Sequence, residues 1–125
     1  SACGRGYRAV RMELGKKWNN LKKSIMVKHI ILWKLREDLT EAQKLQAKKD
    51  IKEGLEGLKG QIPGMTDIKV NINGLPSSTA DLMLDSTFED YESLKGYAVH
   101  PKHLAVANGK VRPNTNGRYC LDFEE

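Results

Sequence analysis

The 125 residues of this chain suffice for one domain with a core of its own, a size at which pairing often adds stability. The longest apolar run, Ile30-Ile31-Leu32-Trp33, is far short of the roughly 20 residues that cross a bilayer, and no apolar signal-peptide stretch leads the chain; a soluble, non-secreted, cytoplasmic protein is expected. The formal charge of +5 sits at the beginning: residues 1–25 carry seven basic groups against Glu13 alone, and the rest carries 14 basic against 15 acidic.

That leader, SACGRGYRAVRMELGKKWNNLKKSI, has early glycines, room for a short helix around Val10 to Lys23 and no sustained period. It reads as a basic accessory segment, residues 1–25, with the domain starting at Met26 and running to Glu125. Its charge suits phosphate backbones or anionic lipid, but it lacks an apolar face and the aromatic interleaving of a stacking platform, so nucleic acid is not the expected partner. Cys3 and Cys120 have no second Cys or His at short spacing, which argues against a disulfide framework or a zinc site. A reducing compartment and no bound metal are the expectation.

Val27 to Leu35 (VKHIILWKL) is a predicted strand with Val27, His29, Ile31, Trp33 and Leu35 on one face. Ile30 and Leu32 make its other face apolar as well, so both faces need cover, most economically helices on one side and a second copy of the sheet on the other. Thr40-Glu41-Ala42-Gln43 fits a capping box, and a helix is predicted from there to about Lys59, with Ala47, Ile51, Leu55, Leu58 and Ile62 as its buried stripe. Pro63-Gly64 turns the chain into a second strand around Ile68, Val70 and Ile72. Ala80 to Phe88 is a third strand, with Leu82, Leu84, Ser86 and Phe88 on one face. Its other face carries Asp81 and Asp85 beside Met83, a polar presence that salt bridges or backbone contacts must answer.

Asp90 can cap a short helix carrying Tyr91, Leu94 and Tyr97. Pro101 suits the first turn of a further helix, which puts His100 at its N-cap. After a loop VRPNTNG, Arg118 to Glu124 alternates as a fourth strand. The order β-α-β-β-α-β, with the second helix broken at His100-Pro101, predicts a ferredoxin-like α+β sandwich.

MVKHIILWKL, the helix leading into IPGM, the segment STFEDYESLKGY, HPKH and the closing RYCLDFE together resemble the stress-responsive A/B barrel, or Dabb, family over Met26 to Glu125. The resemblance implies a dimeric α/β barrel in which two sheets pack face to face. Most of the family has no assigned reaction, but a plant member is a polyketide cyclase that closes a ring by aldol chemistry without metal or organic cofactor. By position, its tyrosine and the second histidine of HPxH fall on Tyr97 and His103, and the first-strand histidine on His29. Residues 1–25 are not covered.

Several roles compete for the three histidines. His100 reads as a cap. His103, a turn into the helix, is either a half-buried structural residue or a base whose ordinary pKa near 6.5 suits proton removal beside a carbonyl, with Tyr97 as hydrogen-bond donor to the developing oxyanion. A three-histidine metal site of His29, His100 and His103 is disfavoured because Pro101 forces His100 out of helical geometry. As a nucleophile Cys120, mid-strand, has no evident activating partner, and Ser86 or Thr87 with a distant histidine is a pairing any chain could supply. The expected picture is a homodimer with a small apolar pocket for an organic ligand, lined by His29, Trp33, Leu55, Leu84 and His100. The competing expectation is a non-catalytic dimeric structural or interaction module.

Overall fold

The computed structural model describes residues 25–125, so the expectations for the basic leader before Ile25 lie outside the described residues. Strand β1 (Val27–Leu35) alternates as its sequence requires: Val27, His29, Ile31, Trp33 and Leu35 are buried, and Leu32 and Lys34 face outward. Helix α1 (Glu41–Glu56) opens on a complete capping box, in which Gln43 N–H donates to Thr40 Oγ1 at 3.1 Å and Thr40 N–H to Gln43 Oε1 at 2.8 Å. The helix stops at Glu56 rather than Lys59, because Gly57 and Gly60, the latter at φ 80°, tighten the chain into turns. Leu58 and Ile62 nevertheless stay buried and extend the stripe of Ala47, Ile51 and Leu55.

Strand β2 (Met65–Asn71) begins earlier than its alternation from Ile68 implied. A register shift against β3 (Leu82–Phe88) between Met65 and Asp67 adds one residue, which lets both Met65 and Ile68 point inward. Gly64 enters β2 at φ 77°, and a Cβ there would strike the Ser93 side chain. Asp90 caps α2 (Tyr91–Val99), its carboxylate accepting from Ser93 N–H at 2.7 Å. Helix α3 (Pro101–Val106) follows directly. The expected loop after it is a widened π-type turn at Ala107–Val111 and a 3-10 turn at Arg112–Asn114, so β4 (Thr115–Glu124) starts before Arg118.

The four strands form one antiparallel sheet in the order β2-β3-β1-β4. With its helices in the two crossover positions this is the ferredoxin-like α+β arrangement expected from the element order. The helix-facing side holds the core: Ile31 and Trp33 from β1, Leu84 and Phe88 from β3, Ile51 and Leu55 from α1, Leu94 and Tyr97 from α2. Ser86, fully buried among them, is satisfied by donating to the His29 carbonyl at 2.8 Å. The carboxylates that looked misplaced on β3 are also answered within the chain. Asp85 pairs with Lys28 at 2.6 Å, and Asp81 accepts from Leu35 N–H at 2.8 Å. No helix among the described residues is long and apolar enough to cross a membrane.

Candidate functional site

The break between α2 and α3 builds the site. His100 has extended backbone angles, φ −67° and ψ 132°; its N–H donates to the Tyr97 carbonyl at 3.1 Å and its Nδ1 accepts from Lys102 N–H at 3.1 Å. Pro101 begins α3 where its missing N–H costs nothing. The redirected chain lays the His103 ring against the Tyr97 ring, with centroids 4.1 Å apart and planes at 36°. His29 reaches the same cluster from β1, its ring edge-on to Tyr97 at 6.0 Å and to Phe88 at 6.4 Å.

A cavity of about 400 Å³ lies between the sheet and the helices. Tyr97, His103, His29, Trp33, Leu55 and Leu84 all line it. His100 does not. Its ring is spent as the cap of α3 and borders a separate surface groove with Pro63, Asp90 and Ser93. The expected placement of His100 in the pocket is therefore corrected, and a three-histidine metal site does not assemble.

Arg112, Thr115 and Arg118 supply polar lining that was not anticipated. Arg118 had a signal: in strand register it stands opposite Trp33, on the helix-facing side of β4 together with Cys120 and Asp122. Arg112 had none, because its position depends on the widened turn before it.

Two polar atoms in this cavity wall are buried without a hydrogen-bond partner among the described residues, the Tyr97 hydroxyl and His103 Nδ1. Burial drives the Tyr97 pKa well upward, against a smaller opposing effect of Arg118, so the hydroxyl keeps its proton. Burial also pulls the His103 imidazole below its ordinary value; a backbone interaction at Ala98 opposes this, and neighbouring His29, Arg112 and Arg118 reinforce it. The pair thus presents a neutral proton acceptor beside a neutral donor. Cys120 is a poor nucleophile here, since burial and then the Asp122 carboxylate raise its thiol pKa.

Residues 27–125 match the family model described as the stress responsive A/B barrel domain. A dimeric protein of unknown function and ferredoxin-like fold from Bacteroides fragilis is 36% identical, with a TM-score of 0.75 over 80% of this chain and 96% of that one. A Dabb family protein from Mesorhizobium loti is 17% identical, with a TM-score of 0.62 over 80% of this chain and 96% of its own. A hydroxynitrile lyase from Passiflora edulis shares the fold at 19% identity and a TM-score of 0.61, covering 80% of this chain and 93% of that enzyme. Among curated proteins, none matches the sequence. With its β-α-β-β-α-β sheet, its Tyr97–His103 pair and a family match over nearly the whole described region, this chain belongs to the stress-responsive A/B barrel family.

Proposed function

We propose that the protein binds a small organic molecule bearing a carbonyl group in the 400 Å³ cavity and performs cofactor-independent, cyclase-like chemistry on it. The observation that carries this reading is the buried Tyr97 hydroxyl and His103 Nδ1, side by side in the cavity wall and both without hydrogen-bond partners among the described residues. A fold rarely leaves two buried polar atoms unsatisfied unless something else meets them. Neutral His103 takes the proton from the carbon beside the carbonyl. Tyr97 donates its hydrogen bond to the oxygen on which negative charge then gathers, and His103 returns the proton after ring closure. Trp33, Leu55 and Leu84 supply the apolar wall that excludes water from this exchange.

The working unit in this proposal is a homodimer formed through the outer sheet face. The exposed apolar residues of that face support it, as does the dimeric state of the Bacteroides fragilis protein.

The test is ring closure of linear poly-β-ketone thioesters, followed by chromatography. Tyr97→Phe and His103→Ala should each slow turnover by about 10²-fold or more, the range for a lost acid/base group, and His100→Asn should leave it intact. If substrate is retained by the native protein but wild type and His103→Ala convert it equally, the catalytic reading fails. The non-catalytic dimeric module then becomes the better description.

A further inference from the structure

On the helix-facing side of the β4 edge, three side chains of different chemistry converge outside the Tyr97–His103 pair. Cys120 and Asp122 stand two residues apart on β4, and His29 comes from β1, where it is the register partner of Asp122. Cys120 Sγ lies 3.7 Å from His29 Nδ1 and 3.5 Å from Asp122 Oδ1, and His29 Nδ1 hydrogen-bonds directly to that same Oδ1. All three ligand atoms lie within 4.8 Å of one another. We propose that His29, Cys120 and Asp122 form a binding site for a divalent metal ion of the zinc class.

The geometry favours this over a proton relay. A relay through imidazole needs the thiol on one ring nitrogen and the carboxylate on the other, whereas here both meet Nδ1. Three donors gathered around one point are what a cation requires. Tetrahedral zinc with bonds of about 2.0–2.3 Å sets its ligand atoms roughly 3.3–3.6 Å apart. The sulfur–oxygen and sulfur–nitrogen separations already stand at 3.5 and 3.7 Å, and only the hydrogen-bonded His29–Asp122 pair has to open.

The donor set agrees with the geometry. A thiolate, an imidazole and a carboxylate suit a borderline-soft ion, and the two anionic ligands balance its two charges. Cys120 and Asp122 are exposed at the sheet edge, so an ion can enter. His29 is held by its packing on Tyr97 and Phe88. Three protein ligands leave a fourth position open, next to the cavity that His29 helps to line. Distance along the chain hid the site, since 93 residues separate His29 from Asp122.

Cobalt(II) titration of the reduced, metal-free full chain tests the proposal without reference to catalysis. One equivalent per chain should produce a near-ultraviolet thiolate-to-cobalt charge-transfer band with intense visible bands of tetrahedral type, and zinc should displace it. Cys120→Ser should abolish the near-ultraviolet band. Asp122→Asn should weaken binding by more than about tenfold, the lower range for losing merely an outer partner. Cys3→Ser and His103→Ala should bind as wild type does. The proposal is overturned by the absence of stoichiometric uptake, by a band that survives Cys120→Ser, or by one that vanishes in Cys3→Ser.

Discussion

The Tyr97 hydroxyl is enclosed in a residue only 2% exposed and has no acceptor among the described residues. Leaving such a group unmet costs roughly 1–3 kcal/mol, so the fold itself gains nothing from it. Tyr97→Phe is therefore expected to hold or raise the urea midpoint while weakening ligand retention; a lower midpoint with unchanged retention would make the hydroxyl structural. His103 adds a pH signature. Its folded pKa is depressed below the ordinary 6.5, chiefly by burial, so as the pH falls the unfolded chain takes up the proton first. The stability that neutral His103 contributes is whole above about pH 6.5 and is lost as the pH drops from there through the lowered folded value. Wild type should lose more stability than His103→Gln between about pH 7.5 and pH 5, as read from urea midpoints at each pH. Equal losses would place the sensitivity elsewhere.

Strand β2 lies at the sheet edge, where backbone groups have no neighbouring strand. At Val70 helix α1 covers them: the N–H donates to Glu56 Oε2 at 2.9 Å, and the carbonyl accepts from Lys52 Nζ at 2.8 Å. Lys52 and Glu56 also pair with each other at 2.8 Å, one turn apart. Burial raises the Glu56 pKa, but its Lys52 and Val70 hydrogen bonds outweigh that and hold it below the ordinary carboxylate value. Glu56→Ala should lower stability by about 1–2 kcal/mol in urea unfolding, because it uncovers an edge N–H and frees Lys52 together. An unchanged midpoint would show that water replaces the clasp without cost. Local patterning made α1 legible up to this point, but not its clasp on β2. The capping box and apolar stripe lie within the helix, whereas Val70 arrives from a different strand.

The outer sheet face carries exposed apolar residues from two adjacent strands. Leu32 of β1 is 40% exposed, and beside it on β4 Tyr119 is 75% and Leu121 64% exposed. In register Tyr119 stands opposite Leu32 and Leu121 opposite Ile30, so these residues form one continuous apolar surface. A second copy of the sheet supplies matching cover, which is why the homodimer is proposed to form here. Leu121→Glu or Leu32→Glu would place a charge in a desolvated interface and should yield monomer or aggregate in sizing chromatography with light scattering. A wild-type chain that remains monomeric at high micromolar concentration would rule out this interface.

Alternation and capping are local, so much of this protein was readable along the chain. The two faces of β1, the Thr40 box, the Asp90 cap and the His100-Pro101 break each depend on residues a few positions apart. From these follow the β-α-β-β-α-β order and the placement of Tyr97 and His103 on either side of a turn. Other properties depend on sums over distant elements. Whether the Tyr97 hydroxyl finds a partner, whether Arg112 reaches the cavity and whether Asp81 and Asp85 are paired depend on which atoms packing brings together. The meeting of His29 with Cys120 and Asp122 is set by the β1–β4 register, and that register follows from the pairing of the whole strand, with its shift at Lys34/Leu35. Spacing within the chain carries no trace of such a meeting, because a hydrogen-bonded ladder brings residues together by their place in the sheet and not by their distance in sequence.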